Sequence, residues 1–434
     1  MRISYFSLGC KVNEYESLAI MNDFINHGYD LVDFGEDTDV CVINTCTVTS
    51  TSDAKSRKII RQAIKRNPHA IIAVMGCFSQ LHSQEVQDIP GVSVMVGSSN
   101  RHLLYDMVER ARLDHQNHYL VADLKQNYEY EEIKISRFIN KSRGFVKIED
   151  GCDNYCSYCA IPFSRGHVRS RKVEDVIKEI SEISNLGIKE IVLTGINTGA
   201  YGQDMENYDL ADLLNDIIDR VPNLGRIRIS SIETTEITPK LLKVISDDSI
   251  HLCNHFHIPL QCGNDKILKL MNRKYELSEY KAKIQALRKI KPDLNITTDI
   301  IAGFSGESQD DFNQAKAFIS EMNFGEMHVF PFSRRSNTRA YSYPNIVDEA
   351  TKKYRVNELM ALNGQKALEY RQSMVGRTEE VIVEKVVQGI AFGHTSNYLE
   401  VQFPTKTAQK HCLVKIQIQK AGYPISEAIE VKNV

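Results

Sequence analysis

Cys152-Asp-Asn-Tyr-Cys156-Ser-Tyr-Cys159 is the stretch on which the reading of this chain turns. The three cysteines stand in a C-x3-C-x2-C spacing inside one short loop, so they cannot all pair off as disulfides. Thiolates so placed can hold three irons of a [4Fe–4S] cube and leave the fourth iron open to a substrate or cofactor. A zinc site would ask for four ligands, often as two C-x2-C pairs, and no second pair is near. The preceding run, Gly144-Phe-Val-Lys-Ile-Glu149, alternates apolar and polar residues and reads as a strand. The cysteines then fall on the loop leaving that strand's C-terminal end, where α/β folds build active sites.

Working outward, the chain of 434 residues is long enough for several domains and ample core. A net charge of −3 neither points to nucleic acid nor excludes it, because binding needs only a local basic face. Ten cysteines without a secretory apolar run at the N-terminus argue against a disulfide scaffold and for a reducing compartment, the cytoplasm. No apolar run reaches the ~18 residues of a membrane span.

Residues 1–115 alternate strand patterns (Ile3–Leu8, Val40–Asn44, Ala70–Met75, Val92–Val96) with helix patterns (Glu14–His27, Asp53–Arg66, Arg101–Arg112), which predicts a small parallel α/β domain. Residues 116–143 are polar and lack a period, and read as a linker. From 144 to 373 six strand–helix units predict a partial (β/α)6 barrel, closed by one long trailing helix from Asp348 to Ser373. Residues 374–434 carry short alternating runs and predict a small antiparallel β-barrel. The fold class is α/β with that β-barrel appended.

A second set of cysteines is scattered in sequence but not in context. Cys10, Cys46 and Cys77 each sit just past a predicted strand. In a parallel sheet those strand ends share one edge, where ligands bind. Two readings stand: three thiolates meeting at a second metal site, or three ordinary small buried residues. Cys41, inside Val40-Cys-Val-Ile43, reads as core packing. Cys253, Cys262 and Cys412 match no ligand spacing.

The loop triplet, with Tyr158 just before its third cysteine, resembles the radical S-adenosylmethionine (SAM) superfamily. In that superfamily the open iron chelates the amino and carboxylate groups of SAM. Both triplets together resemble the methylthiotransferase family of radical SAM enzymes over nearly the whole chain. The motifs are Leu8-Gly-Cys10-Lys-Val-Asn13-Glu-Tyr-Glu-Ser17, Asn44-Thr-Cys46-Thr-Val-Thr49, Gly76-Cys77 and Gly151-Cys152 with Arg165-Gly166 and Arg169-Ser-Arg171. The resemblance implies an N-terminal methylthiotransferase domain, a radical SAM barrel, a C-terminal TRAM-like domain and two [4Fe–4S] clusters, the auxiliary one on Cys10, Cys46 and Cys77. Leu193-Thr-Gly-Ile-Asn-Thr-Gly-Ala-Tyr-Gly202 and Met327-His-Val-Phe-Pro-Phe-Ser333 are most similar to the tRNA threonylcarbamoyladenosine branch. The other branches act on isopentenyladenosine in tRNA or on an aspartate of a ribosomal protein. Two positions depart from the family: Cys262 stands in Leu260-Gln-Cys-Gly263 where serine is usual, and Ser305 in Gly303-Phe-Ser-Gly306 where proline is usual. Neither removes a ligand.

The implied reaction replaces C2–H of an adenine, 3′ of the anticodon, with C2–S–CH3. That hydrogen is not acidic and general acid–base groups alone would not remove it, so a radical route makes sense. The resemblance implies SAM as both radical source and methyl donor, an electron donor such as flavodoxin or ferredoxin, and tRNA as partner, with no membrane. Tyr158, Gly195, Ser231, Glu233, Gln261 and Gly303 are the expected SAM contacts; the alternative for Glu233 is a carboxylate at the start of a helix. Six basic residues load one predicted helix, Arg57 and Arg61 on one face of it, as candidates for RNA; Arg334, Arg335 and Arg339 are candidates for the modified base's carboxylate or nearby phosphates. The bland reading of that helix is a solvated face. Arg165, His167, Arg169, Arg171 and Lys172 crowd the stretch after the loop, to hold SAM, RNA phosphates or the charge of a cluster. The rival of another class is a non-catalytic Fe–S carrier or RNA-binding module.

Overall fold

The computed structural model describes residues 1–124, 129–135 and 142–431. It divides into two compact units: Met1–Ile139 with Lys147–Arg171 and Ser333–Tyr341, and Asn140–Val146 with Lys172–Phe332 and Ser342–Val434.

The first unit is built on Arg2–Ser7 (β1), Asp30–Leu31 (β2), Val40–Thr45 (β3), Ile71–Gly76 (β4), Val92–Val96 (β5) and His118–Leu120 (β6). They pair in the order β2-β1-β3-β4-β5-β6, every pair parallel. The strand period of two sorts the side chains of β3: Val40 and Val42 pack with Phe24, Val94 and Val108 on one face. Cys41 and Ile43 pack with Ile60, Val74 and Phe78 on the other, so Cys41 is core as expected. Covered on both faces, β3 is buried throughout. The short strands β2 and β6 were not legible, because two or three residues hold no period; β6 opens the stretch read as a linker, part of which lies outside the described residues. After Gly144–Lys147 (β7), the antiparallel ribbon of Glu149–Asp150 (β8) and Arg169–Ser170 (β9) brackets the cysteine loop.

The second unit continues with Glu190–Thr194 (β10), Arg226–Ile229 (β11), His255–His257 (β12), Asn295–Ala302 (β13) and Glu326–Pro331 (β14). They form the ladders β11-β10-β7 and β12-β13-β14, and parallel bridges Ile227↔Leu252 and Ser231↔His257 carry one into the other. Six strands therefore follow one another in chain order, with amphipathic helices between them, as the partial barrel requires. Helix starts are set by local chemistry: Asp209 accepts from the N–H groups of Ala211 (2.8 Å) and Asp212 (3.1 Å), and Ser308 pairs with Asp311 the same way.

The C-terminal strands Thr378–Val387 (β15), Ile390–Thr395 (β16), Glu400–Pro404 (β17), Leu413–Lys420 (β18) and Ile425–Glu430 (β19) close in the order β15-β16-β17-β19-β18. The expected barrel was antiparallel throughout. The β17–β19 pair is parallel instead, because a closed ring of five strands cannot alternate direction at every neighbour. The chain anchors this barrel to β10 and β11 through buried charge. Glu190 and Arg226 are in-register partners, with Arg226 Nε 2.6 Å from the carboxylate. Arg228 donates to the carbonyls of Ser396 (3.1 Å) and Thr395 (3.2 Å), and Arg226 to that of Glu380 (2.9 Å).

Candidate active site

In the first unit β1, β3 and β4 are neighbours, so their C-terminal ends deliver Cys10, Cys46 and Cys77 to one sheet edge. Cys10 caps the helix Lys11–Asn26, Cys46 follows Thr45, and Cys77 starts the helix Cys77–Leu81. Two glycines make the approach possible. Gly9 has φ +106°, and a Cβ there would stand 3.0 Å from both Cβ and Sγ of Cys46. Gly76 has φ +103°, and its Cβ would strike the Thr45 carbonyl at 2.6 Å. Asn13 ties the loops together: its Nδ2 donates to the carbonyls of Leu8 (2.7 Å) and Thr45 (3.1 Å). Burial raises the Cys46 thiol to about 11, with Cys77 and Cys10 nearby adding to the rise. Cys10 is itself exposed, with Arg165 near enough to act on its thiol.

The loop triplet belongs to the same unit. Cys152, Cys156 and Cys159 are each partly exposed. Burial raises Cys152, and its two partner thiols raise it further, which puts the three within electrostatic reach. Gly151, at φ +94°, is obligatory: a Cβ would lie 1.9 Å from the His167 carbonyl. The loop is pinned by Cys152 N–H to Gly166 O (3.1 Å) and by Ala340 N–H to Ser157 O (2.7 Å). Tyr158 is partly buried in it. Each set offers three cysteine sulfurs, the soft donors that an iron–sulfur cluster takes.

Arg165 reaches the strand-end set. Fully buried, it donates from Nε to Cys77 Sγ (3.1 Å) and from Nη2 to Asn13 Oδ1 (2.7 Å) and Glu16 (3.0 Å). Asn13 Oδ1 in turn lies 3.7 Å from Cys10 Sγ. Around Glu16 and Asp150 gather Arg101, Lys147 and Arg165. Burial alone would raise Glu16, but Arg101, Arg165 and Lys147 overcome it and hold the carboxyl at about 2. Glu16, Lys147 and Asp150 were not singled out from sequence. The available signal was Asn13, Glu16 and Ser17, three polar residues on one helix face that a core-facing helix would not carry without partners.

Of the rest of the basic stretch, Lys172 is exposed and the other three side chains are bonded within the unit. Arg169 reaches Asp150 (3.6 Å), buried Arg171 pairs with Glu132, and His167 bonds Asp153 (2.6 Å). Arg335 is a correction to the RNA reading. It is buried, ion-paired to Asp53, and donates to Thr47 Oγ1 (2.6 Å). Pulling a guanidinium away from a buried carboxylate leaves an uncompensated charge, which costs about 3–5 kcal/mol. Arg334 lies over the Tyr341 ring at 4.7 Å and donates to its carbonyl. On the helix Ser50–Arg66, Arg57 is held by Glu85 (2.8 Å), while Lys55, Lys58, Arg61, Lys65 and Arg66 are exposed.

In the second unit each expected SAM contact stands at the C-terminal end of a barrel strand: Gly195 after β10, Ser231 and Glu233 after β11, Gln261 after β12, Gly303 after β13. Glu233 opens the short turn Thr234–Glu236, its N–H bonded to Glu236 (3.0 Å) and its carboxylate to Arg273. The turn-start reading of Glu233 therefore holds in this structure. Gln261 has φ +67°, rare for a residue with a Cβ, and is locked by bonds to Asp299 O and Ile301 N, each 2.8 Å. Gly303 has φ +73° and donates to Glu307 (2.7 Å), which Arg355 also holds (2.7 Å). Cys262 and Ser305 are both buried, and burial raises the Cys262 thiol.

Strands β7 and β10 to β14 following one another in chain order, with a three-cysteine loop after the first, are the arrangement of a radical SAM enzyme. Residues 146–319 match the radical SAM superfamily, and residues 2–97 match a group described as the uncharacterized protein family UPF0004. A threonylcarbamoyladenosine tRNA methylthiotransferase MtaB of Bacillus subtilis is 41% identical, covering 100% of this chain and 97% of its own length. A tRNA-2-methylthio-N(6)-dimethylallyladenosine synthase of Desulfitobacterium hafniense is 32% identical, over 97% of this chain and 95% of its own. Among solved structures, the radical SAM methyltransferase TsrM of Kitasatospora setae shares the fold, at TM-score 0.58 and 9% identity, covering 90% of this chain and 76% of that one. The chain belongs to the radical SAM tRNA methylthiotransferase family and is an enzyme of that class. Among the described residues no helix is long and apolar enough to cross a membrane.

Proposed function

We propose that the protein converts C2–H of N6-threonylcarbamoyladenosine, 3′ of the anticodon in tRNA, to C2–S–CH3. The observation that carries this reading is the pair of cysteine triplets in one unit, one in a single loop and one gathered from three strand ends. A single triplet would suffice to make a radical; a second gives sulfur chemistry its own place. The choice of threonylcarbamoyladenosine is supported by the names of the relatives from Bacillus subtilis and Aquifex aeolicus, the latter 33% identical over 93% of this chain.

In this reading Cys152, Cys156 and Cys159 hold the cluster that binds SAM, and Cys10, Cys46 and Cys77 hold the auxiliary one. When bound, the loop cluster with SAM supplies a carbon-centred radical able to activate an unactivated C–H, and a second SAM supplies the methyl group. The residues of the chain do the rest. Gly9 and Gly76 bring three thiols to one edge, Asn13 fixes their loops, and Arg165 places a positive charge against Cys77 to offset a cluster's anionic thiolates. Gly195 and Gly303 admit SAM close to backbone, with Ser231 and Gln261 beside it. The exposed cations of the helix Ser50–Arg66 face RNA phosphates, and the C-terminal barrel is a TRAM-like RNA-binding domain. Flavodoxin or ferredoxin supplies electrons.

Nucleoside mass spectrometry of tRNA from a deletion strain tests the substrate. Loss of the methylthio derivative of threonylcarbamoyladenosine is expected, and its persistence overturns the assignment. Iron analysis tests the clusters: about eight irons per chain are expected, falling to about four when the three loop cysteines become alanine.

A further inference from the structure

Three parallel strands of the second unit carry a ligand set that the reaction above does not use. His257 ends β12, Asp299 lies in β13 and His328 in β14. Asp299 and His328 are in-register partners, so their side chains project side by side from one face. His257 pairs with Thr297, which lies two residues before Asp299 and hence on the same face. One ligand atom from each of the three lies within 4.8 Å of the other two.

The details suit a cation. His257 Nε2 is 3.2 Å from Asp299 Oδ2. Its other nitrogen, Nδ1, is 2.9 Å from Thr297 Oγ1, which orients the ring and leaves Nε2 to face inward. An imidazole held by a second partner in this way is the usual support of a metal-binding histidine. Thr297 is itself fixed, its Oγ1 lying 2.9 Å from His255 Nε2. The His257 and His328 rings are 5.6 Å apart, and His328 is exposed, so its ring is free to close on a shared centre. Bonds of ~2.0–2.2 Å to nitrogen and oxygen require only a modest contraction of the set.

We propose that His257, Asp299 and His328 form a binding site for a first-row divalent cation, distinct from either cysteine triplet. Two imidazoles and one carboxylate on one face of a sheet are a facial donor set, which leaves the opposite positions for oxygen ligands. Water, a hydroxyl or a carboxylate fills them. On the reading that the substrate is threonylcarbamoyladenosine, its carboxylate and hydroxyl are donors of the right class.

Mn2+ is the probe, because it avoids thiolates. The full-length protein, free of any affinity tag and with both clusters reconstituted and oxidised, is titrated anaerobically while EPR follows free Mn2+. About one bound Mn2+ per chain, displaced by Zn2+, is expected. His328→Ala and Asp299→Asn should each weaken binding by at least ~10-fold, and Thr297→Val by about 10–100-fold through the lost support of His257. Should Asp299→Asn fail to fold, His328→Ala, at an exposed position, carries the test, with unchanged cluster absorbance as its control. Absence of bound Mn2+, or binding indifferent to His328→Ala, overturns the site. The titration uses no tRNA, so an error in the proposed substrate leaves it unaffected.

Discussion

Two buried glutamates are held alike and serve different ends. Glu16, in the first unit, is gripped by Arg101, Lys147 and Arg165; Glu190, in the second, by Arg226 and Arg228. In both, burial alone would raise the carboxyl and the arginines hold it at about 2. What differs is where the guanidinium's remaining N–H groups go. Those of Arg226 and Arg228 go to backbone carbonyls of the C-terminal barrel, so that cluster fastens one fold element to another. Those of Arg165 go to Cys77 Sγ and Asn13, so that cluster reaches a candidate metal ligand. A buried ion pair by itself says little about role; its third neighbour decides.

The strongest way to break the comparison is to remove the shared feature. Glu190→Ala and Glu16→Ala should each destabilise by about 3–5 kcal/mol, since each strands buried arginines. Denaturant unfolding checks this, and a loss below ~1 kcal/mol for either would mean that its charges reach water.

Acid should treat the two alike. Both carboxyls fall from 4.5 to about 2 on folding. A depressed carboxyl contributes stability that is complete above its unfolded pKa and lost as pH falls through the folded one. Each glutamate therefore supplies on the order of 3 kcal/mol at neutral pH that disappears between about pH 4.5 and 2. Glu16→Gln and Glu190→Gln should each flatten the stability–pH curve in that window.

Conservative changes should then part them. Arg165→Lys keeps charge but loses the fork that serves Cys77, Asn13 and Glu16 together. It should lower the midpoint potential of a cluster on the strand-end cysteines, read by redox titration with EPR, because a hydrogen bond to sulfur is lost. Arg226→Lys should lower stability and leave that potential where it was. The smallest effect belongs to the surface. Arg61→Glu, at an exposed site, should change stability by less than ~0.5 kcal/mol. It should nonetheless weaken tRNA binding and reduce its salt dependence, measured as log Kd against log salt.

Much of this was legible from the chain. Period two and period 3.6 are local, and they located β3, β4, β5 and the long helix Glu349–Ser373 to within a residue. Three cysteines in eight residues must meet wherever the loop goes. Cys10, Cys46 and Cys77 were legible one step further, because a parallel sheet brings the ends of adjacent strands together. Short strands, and β16 with Gly393 interrupting its pattern, were not. Nor was the direction of β19, which ring closure sets and no local pattern encodes.

Charge was the hardest to read. Arg165, Arg335 and Arg61 look alike as letters. Arg335 lies buried against Asp53, 282 positions away in sequence; Arg165 lies against Cys77, 88 away; Arg61 stays in water. The sequence alone determined the elements, the loop triplet and the chemistry its thiolates permit, since spacing and side-chain type are local properties. Only the tertiary structure decided which cation meets which anion, and that His257, Asp299 and His328 share a face. Those outcomes depend on contacts made across a sheet, where partners far apart in the chain are chosen by strand order and register.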